Sequence, residues 1–508
     1  MSTLRTDTLQ TTDSSFSIDV DQLVSQDNLG DYITQEELDN ALNSQNLNVK
    51  LYGAVGNGIA NDTPAINAAL ADAIVKRKAV YFPSGVYKLS EAYGGAGYCL
   101  LNRGVSMIGE GALRVQLIPD AALPPTADYI WLKPTAADVL DFVEISGLFI
   151  YPNAPGNKRG KRSLFVDMSE VSNASSVHVD GCYFAPGNDY SLEWFTNAVN
   201  VQGGPANSLF ERTHFWEGVK MTNHGDSNTF RNCVFRSSVG SGRVGVNTKS
   251  IYAGGGQASQ LTVEQCNMDC DGGAILALNG LKYTIIKNNI EQSHGTGTGS
   301  GACIDLDGSE GGCSWAQFEG NSIGAFGASA LSAILRINNA YQTKVSHNRF
   351  TSALAANSPT CIFISSLATD TIIEQNEIGT AFTTTVNDLG VGTRGIPHLI
   401  TPINGFANLG GYAPLAVYKE PGDAGLRITG FLTCPASPNG VVLGTCPPGS
   451  RPLLVHRIPV YALVSATPSM GTIEVRTDGD IVYYGGAASQ IALGGATIGG
   501  LGFVNGNL

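Results

Sequence analysis

A six-residue pattern recurs nine times between residues 143 and 378, and it constrains the fold more than any other feature of the sequence. Each copy has an apolar residue, two free positions, a small turn-forming residue, one free position and a second apolar residue, as in "FRNCVF" (230–235) and "VSHNRF" (345–350). Neighbouring turn-forming positions are 20 to 36 residues apart. They are Ser146, Cys182, Thr213, Cys233, Cys266, Asn288, Asn321, Asn348 and Asn376. A repeat of this length without helical periodicity indicates a stacked solenoid.

Several copies follow a second pattern with a period of two, which is typical of β-strands. Examples are "CIDLD" (303–307) and "AILRI" (333–337). Strands joined by a tight turn at Asn or Cys predict an all-β, parallel β-helix, in which Asn side chains of successive coils bond to one another as a ladder. Cys233 and Cys266 are expected in the same column as small buried residues. The alternative is a β-propeller, whose blades would be more uniform, at about 40 residues each.

The segments that flank the repeats differ from them in composition. Residues 1–48 are polar and hold one short helix with a capping box of Thr34 and Glu37, so we expect a small N-terminal head that serves attachment. Residues 49–89 are expected to cap a β-helix that spans residues 90–409. Residues 410–508 contain alternating strands bounded by Pro and Gly, which predict a C-terminal antiparallel β-sandwich for trimerisation or carbohydrate binding.

Three glycines in "LYGAVGNGIANDTPAINAAL" (51–70) raise the question of a phosphate-binding loop. The segment has no Gly-Lys-Ser/Thr, and its glycines are not spaced as G-x-G-x-x-G, which excludes a nucleotide site. A helix is predicted instead, with Thr63 as N-cap and Pro64 at the first helical position. Its apolar stripe consists of Ile66, Leu70, Ala73 and Ile74. Such a helix plugs the open end of a solenoid, where the core and strand edges would otherwise be exposed.

A net charge of −13 with only 14% charged residues makes nucleic acid a poor partner, because phosphate binding needs clustered Lys and Arg. The basic run "KRGKR" (158–162) is interpreted as a solvated loop. The first residues lack the apolar region of a secretory signal, and no stretch approaches about 18 apolar residues, so we expect synthesis in a cytoplasm and no membrane insertion. Ten cysteines without metal-ligand spacing predict mostly reduced thiols, no metal and no cofactor, although Cys434 and Cys446 could pair.

The stretch "VKLYGAVGNGIANDTPAINAALADA" (49–73), followed by "VYFPSGVYKL" (80–89), resembles the opening segment of the pectate-lyase-like superfamily in the form seen in bacteriophage tailspikes. The resemblance is specific over these residues and architectural over residues 90–405. It implies a right-handed parallel β-helix in a homotrimer that binds a bacterial surface polysaccharide and often cleaves it. Residues 2–20 also look like short virion-binding heads, which implies a phage baseplate or tail protein as partner and the virion tail as location.

Residues at equal distance from the turn should stand above one another on successive coils, about 4.8 Å apart. Three positions past the turn we therefore predict a column in which Asp269 and Glu291 are vertical neighbours, with Asp271 beside them. Such carboxylates suit glycosidic hydrolysis as acid and nucleophile or base. In the same column Trp216 is expected to stack on a sugar ring and Arg236 to hold an acidic sugar. An ordinary Arg236–Asp269 surface ion pair is the alternative.

A second pair of candidate catalytic carboxylates, Asp305 and Asp307, lies on one face of a strand. Arg336 is expected one coil above Asp305, so a structural salt bridge competes with a role at the substrate. The loop "PGNDYSLEWF" (186–195) contributes further candidates for a groove wall. They are Asp189, Glu193 and Trp194.

Polygalacturonases of this fold carry N-T-D, an Asp pair and G-H-G on successive coils. The segments "VNTKS" (246–250), "DCDGG" (269–273) and "SHG" (293–295) fall in that order, which makes His294 a candidate substrate-binding residue. Lys249 stands where that family has an aspartate, and Ser293 precedes the histidine, so the similarity is faint.

These features favour a tailspike endoglycosidase that depolymerises a capsule, O-antigen or exopolysaccharide. The same solenoid hosts lyases, hydrolases and inert adhesins, so the fold alone does not decide. A polysaccharide lyase acting by β-elimination and a non-enzymatic, receptor-binding adhesin are the alternatives. A secreted plant-wall pectinase is a weaker one, because a signal peptide is missing.

Overall fold

The structure is a computed structural model. It describes residues 46–90, 98–120, 123, 126–135, 142–151, 161–170, 176–185, 190–195, 207–216, 218–222, 227–237, 251–254, 260–270, 276–279, 281–293, 302–309, 313–325, 333–352, 360–379, 382, 384–390, 393–395, 398–419, 426–446, 454–464 and 467–498. Residues 1–45 of the predicted N-terminal head lie outside the described residues, and its last three residues form the strand Asn46–Asn48.

Three long sheets of parallel strands build a β-helix, as predicted. Sheet A has 12 strands: Asn46–Asn48, Ala79–Phe82, Met107–Gly109, Phe142–Ser146, Ser176–Asp180, Leu209–Glu211, Asn228–Arg231, Leu261–Glu264, Ile285–Lys287, Gln317–Glu319, Lys344–Ser346 and Ile372–Glu374. Sheet B also has 12: Asn57–Asn61, Gly85–Leu89, Val115–Pro119, Phe149–Ile150, Tyr183–Phe184, His214–Phe215, Val234–Ser237, Asn267–Cys270, Ile290–Ser293, Ser322–Ala325, Arg349–Ser352 and Glu377–Ile378. Sheet C has 11: Tyr98–Asn102, Asp128–Leu132, Arg162–Asp167, Tyr190–Phe195, Val219–Thr222, Ile251–Gly254, Leu276–Asn279, Ile304–Asp307, Leu335–Asn338, Thr360–Ile364 and Thr384–Asp388. A short sheet pairs Cys313–Ser314 with Ala340–Tyr341.

The core runs along the inside of the coils because every second side chain of a strand points inward. In the strand Leu261–Glu264, for example, Leu261 and Val263 are fully buried. Aromatic rings of successive coils stack in this interior, as Phe215 and Phe235 do with ring centroids 5.0 Å apart. The outer positions of the same strands are left for polar or functional side chains.

The predicted asparagine ladder lies at the turn from sheet A to sheet B. Nδ2 of Asn289 donates to Oδ1 of Asn321 at 3.0 Å. Asn321 donates in the same way to Asn348 at 2.9 Å, and Asn348 donates to Asn376 at 3.0 Å. Each Nδ2 also donates to a backbone carbonyl of the preceding coil. The ladder therefore links four successive coils by hydrogen bonds inside the protein.

Two of the predicted turn residues are wrong in register. The strand pairing places Asn289, not Asn288, in the ladder, and Leu148, not Ser146, beside Cys182. The left-handed backbone belongs to the residue before the ladder position, with φ of 54° at Asn288. The ladder asparagines are thus favoured by their hydrogen bonds, and the tolerance for left-handed angles is needed one residue earlier.

The helix Thr63–Lys76 follows the glycine-rich loop and a short 3-10 helix, Val49–Tyr52. Its N-cap is Asp62 rather than the predicted Thr63. The buried Asp62 carboxylate accepts backbone N–H bonds from Val55 at 2.6 Å and Lys88 at 3.1 Å, so it ties the loop to sheet B. The glycines therefore serve a turn that is organised by a structural carboxylate.

The helix covers the first strand of sheet C. Its residues Ile66, Leu70 and Ala73 are buried in the core of the β-helix, as predicted. Asn67 donates to the Cys99 carbonyl at 3.0 Å and accepts from the Leu101 N–H at 3.1 Å. Because Tyr98–Asn102 is the edge strand of its sheet, this side chain satisfies backbone groups that would otherwise lack a partner.

The C-terminal strands are antiparallel, as predicted, and belong to one curved sheet with its own core. The strands are His398–Leu399, Ala407–Asn408, Ala416–Lys419, Leu426–Thr433, Val441–Thr445, His456–Val464, Thr467–Val475, Asp480–Tyr484 and Gln490–Ile498. A half-barrel describes this single sheet better than two stacked layers.

The described cysteines are free thiols, as expected, and Cys434 and Cys446 do not pair. Cys233 and Cys266 continue the ladder column as buried residues. Their thiols donate to the carbonyls of Phe210 and Phe230 at 3.3 Å and 3.7 Å. Within the described parts of the chain, no helix is long and apolar enough to cross a membrane.

Candidate functional site

A row of aromatic side chains lies on the outer surface of sheet B, and we call it the aromatic face. These residues alternate with the buried residues Ile150, Phe184 and Phe215, so the strand period places them outside. The aromatic face consists of Phe149, Tyr151, Tyr183, His214 and Trp216.

The rings of the aromatic face contact one another across successive coils. Phe149 and Tyr183 have ring centroids 4.8 Å apart at an angle of 74°, and Tyr183 and His214 are 4.8 Å apart at 81°. Nε1 of Trp216 donates to the Tyr183 hydroxyl at 2.6 Å, which fixes the orientation of the indole ring. The result is a continuous, partly exposed row of rings parallel to the axis of the β-helix.

Arg236 and Asp269 continue this surface on the next two coils. They pair directly in register, as predicted, and the exposed Arg236 guanidinium lies 5.1 Å from the ring centroid of Trp216. Burial and the charge of Arg236 lower the pKa of His214, so the imidazole is neutral at neutral pH. The arrangement offers stacking surfaces beside one exposed cation and one carboxylate.

The predicted contact between Asp269 and Glu291 is wrong. Asp269 pairs with Gln292, and Glu291 pairs with Met268 of the preceding coil. The error has the same cause as the misplaced turn, because the doublet Asn288–Asn289 shifts this coil by one residue. A shift of one residue moves a side chain from one face of a strand to the other.

A second cluster, which we call the charged cluster, lies on sheet C. Arg162 forms a two-point ion pair with Asp128, with distances of 2.8 and 2.7 Å. Glu193 accepts from Arg162 at 2.7 Å and from Lys220 at 2.9 Å. Burial raises the pKa of Asp128, while the hydrogen bonds and charge of Arg162 oppose that shift. The expectation that Arg162 belongs to a solvated loop is therefore wrong, because its side chain is 7% exposed.

Aromatic rings lie beside the charged cluster. Tyr98 and Trp131 stack with ring centroids 3.8 Å apart, and the Arg162 guanidinium lies 3.5 Å from the ring centroid of Phe165. Nε1 of Trp131 donates to Asp167 at 3.2 Å. Sheet C thus also combines rings and charges, but the ion pair of Arg162 and Asp128 is buried.

The predicted alignment of Asp305 with Arg336 is confirmed. The guanidinium binds both carboxylate oxygens of Asp305, at 2.7 and 2.5 Å. Asp307 accepts from Asn338 at 3.0 Å and from the Ser309 N–H at 3.0 Å. These contacts form the structural salt bridge that competes with a catalytic role, and they hold both carboxylates at fixed positions on the outer face.

Several predicted site residues lie outside the part that the structure describes. Asp271, Asp189 and His294 are among them, and for Trp194 and Glu291 the structure describes only the backbone. Among the described residues, one His, Asp and Glu group has suitable geometry for a metal ion, and it is His178, Asp180 and Glu211 on sheet A.

Sequence reasoning missed most of the aromatic face. Tyr183 and His214 directly follow turn positions that the repeat pattern had located. Comparing the residues that directly follow the turn in each copy would therefore have revealed these two members of the row. Asp128 gave no such signal, because it lies in a strand that precedes the first recognised copy of the pattern.

Comparisons with known proteins agree with this fold. Residues 46–129 match the family model described as rhamnogalacturonase A/epimerase, pectate lyase-like, so this segment is similar to that family. No curated protein sequence matches the chain significantly. The Dettilon tailspike protein is similar in structure, with 11% identity and a TM-score of 0.50 over 92% of this chain and 97% of that chain.

Two further solved structures share less of the architecture. The A-module of the Azotobacter vinelandii mannuronan C-5 epimerase AlgE6 has 15% identity and a TM-score of 0.41, over 68% of this chain and 98% of that chain. The Streptococcus pneumoniae surface protein and adhesin PfbA has 13% identity and a TM-score of 0.46, over 68% and 99%.

Proposed function

We propose that the protein is a phage tailspike that binds a bacterial surface polysaccharide along the aromatic face and cleaves its glycosidic bonds. The observation that carries the proposal is the row of contacting rings from Phe149 to Trp216. Rings that are held in place and partly exposed present apolar surface at little cost in side-chain entropy, and the C–H faces of pyranose rings pack on such surfaces.

The direction of the row favours a polymer over a single sugar. The row spans three consecutive coils, which are spaced by about 4.8 Å: Phe149 and Tyr151 lie on the first, Tyr183 on the second, and His214 and Trp216 on the third. A glycan chain that runs along the axis of the β-helix therefore meets at least one ring at each of these coils. Arg236 at the end of the row is exposed and suits a carboxylate, so the proposed polymer contains an acidic sugar.

Binding is tested by changing one ring. Trp216→Ala should weaken binding of the matching capsule or O-antigen by about 2 kcal/mol, or roughly 30-fold in Kd, because a buried aromatic contact is lost. The control is Tyr461→Ala, which removes a 70%-exposed ring from the C-terminal sheet. Calorimetric titration of candidate polysaccharides with both variants would reject the aromatic face if they bound equally well.

Cleavage by hydrolysis requires two suitably spaced carboxylates. Asp305 and Asp307 are two residues apart on one strand face, so their backbones are separated by about 6.6 Å along the strand and both side chains point outward. Asp269 is the described carboxylate next to the aromatic face. We propose Asp307 and Asp269 as the first positions to test, because Asp305 is held by Arg336 on both oxygens.

The test of hydrolysis measures new reducing ends and polymer size. Asp269→Asn and Asp307→Asn are compared with Glu377→Gln, which removes an exposed carboxylate from the last strand of sheet B. Full activity in both Asn variants would contradict the assignment. Products with unsaturated uronates would identify a lyase, and unchanged polymer length with intact binding would identify an adhesin.

The assembly that we propose is a homotrimer attached to a phage baseplate or tail protein through residues 1–48. The likeness to a tailspike over 92% of this chain and the half-barrel at the C-terminal end support it. Light scattering of the purified chain should give three times the chain mass of 53.2 kDa. A monomer in solution would contradict the trimer while leaving binding to be judged by the titrations.

A further inference from the structure

Three side chains with metal-binding atoms converge on the outer surface of sheet A, whereas the two candidate sites lie on sheets B and C. His178 and Asp180 lie two residues apart on the same face of the strand Ser176–Asp180, and Glu211 on the next coil pairs directly with Asp180. The potential ligand atoms of all three lie within 4.8 Å of one another. Local sequence spacing cannot show this group, because the strand register brings the residues together.

The imidazole of His178 is an independent indication of a ligand. Its Nε2 atom is closed off from solvent and makes no hydrogen bond with any described residue. The Phe142 ring packs near it, with ring centroids 5.9 Å apart. Enclosed polar atoms nearly always have a partner, so an unpartnered nitrogen in an imidazole that reaches two carboxylates points to a bound ion.

Neighbouring arginines contact both carboxylates. Arg212 donates to both oxygens of Asp180, and Arg231 Nη1 lies 3.6 Å from Glu211. A carboxylate has about four lone-pair positions, so these contacts leave oxygen lone pairs for an ion. Outer partners of this kind orient metal ligands in known sites.

We propose that His178, Asp180 and Glu211 bind one divalent transition-metal ion, with Zn²⁺ as the best match. One imidazole and two carboxylates suit Zn²⁺, whereas Ca²⁺ and Mg²⁺ prefer oxygen ligands alone. Three protein ligands leave a coordination position for water. Because the ligands come from two coils, the ion links adjacent coils of the β-helix and stabilises the folded chain.

The test uses the full chain without a histidine tag, after treatment with EDTA. Calorimetric titration with Zn²⁺ should show one site per chain, and Zn²⁺ should raise the unfolding temperature. His178→Gln should weaken Zn²⁺ binding at least tenfold, and Glu211→Gln should also weaken it. The control His347→Gln removes a half-exposed histidine that lies 3.8 Å from the single carboxylate of Glu319, and it should bind Zn²⁺ as the wild type does.

Equal Zn²⁺ binding by His178→Gln and the wild type would overturn the proposal, as would binding of Ca²⁺ in preference to Zn²⁺. Circular dichroism of the metal-free variants checks that they are folded. If His178→Gln does not fold, the site is tested by Zn²⁺ binding to Glu211→Gln and by the visible absorption of Co²⁺ bound to the wild type. Absence of the visible ligand-field bands of bound Co²⁺ in the wild type would then refute the site. Polysaccharide binding is measured separately and does not depend on this outcome.

Discussion

The asparagine ladder offers the sharpest test of the register, through the substitution Asn289→Ala. The side chain of Asn289 is buried and makes three hydrogen bonds: it donates to the Val263 carbonyl and to Asn321, each at 3.0 Å, and accepts from the Cys266 N–H at 2.8 Å. Each hydrogen bond contributes about 0.5–1.5 kcal/mol to stability, so the loss of all three should lower the free energy of unfolding by roughly 3 kcal/mol. The Cys266 N–H is also left buried without this acceptor, so the total should not be smaller.

The matched control is the neighbouring substitution Asn288→Gly. Asn288 has left-handed backbone angles, with φ of 54°, which glycine adopts without strain, so we expect a change within about 0.5 kcal/mol. Guanidinium unfolding monitored by circular dichroism compares the two variants, by midpoint or by unfolding rate if refolding fails. A destabilised Asn288→Gly beside an unaffected Asn289→Ala would refute the register that the structure assigns.

Three further perturbations follow from single contacts. Burial alone would raise the pKa of Glu193, but hydrogen bonds and charges from Lys220 and Arg162 outweigh it and lower the pKa below its usual value. Ionised Glu193 therefore stabilises the fold above its unfolded-state pKa, and this contribution is lost as the pH falls through the lower folded-state pKa. Urea unfolding should lose stability more steeply below about pH 5 in the wild type than in Glu193→Gln, and parallel curves would count against the ion pairs. Asn67→Ala should lower the free energy of unfolding by about 1–3 kcal/mol, because the edge strand of sheet C loses the donor and the acceptor that this side chain supplies. An unchanged unfolding midpoint would contradict this. Burial raises the pKa of Cys434 to about 11, so its alkylation by iodoacetamide, followed by mass spectrometry, should keep accelerating up to that pH, and a plateau near the ordinary value of 9.0 would be inconsistent with burial.

The fold was predictable because its signals are local and repeated. The alternation in "CIDLD" and the turn residues Asn321 and Asn348 all indicate the same kind of coil, and nine copies reinforce one another. The capping helix was predictable from Pro64 and its apolar stripe. The N-cap differed by one residue because Asp62 is engaged by the glycine loop, which brings together residues from separate segments.

The sites were harder to predict because they depend on contacts between coils. Arg162 belongs to a basic run that is typical of a loop, yet its partners Asp128 and Glu193 come from the coils before and after it. Nothing in the run itself reveals those carboxylates. The alignment of Asp305 with Arg336 was correct, because both segments carry the same unbroken alternation, so their inward and outward positions match.

Strand register matters more than residue type for predicting which catalytic side chains lie next to each other on a β-helix. In the coil that carries Asn288 and Asn289 the pattern selects Asn288, because a turn at Asn289 puts Glu291 at the second apolar position, and the choice decides which residue stands beside Asp269. With Asn289 in the ladder, Gln292 is that neighbour, and Glu291 is aligned with the core residues Met268 and Ile323. A pair of hydrolytic carboxylates on sheet B must then combine Asp269 with a group other than Glu291, whereas Asp305 and Asp307 share one strand and are insensitive to such shifts. This is why the activity of Asp307→Asn, rather than that of any Glu291 variant, best distinguishes hydrolysis on sheet C from binding alone.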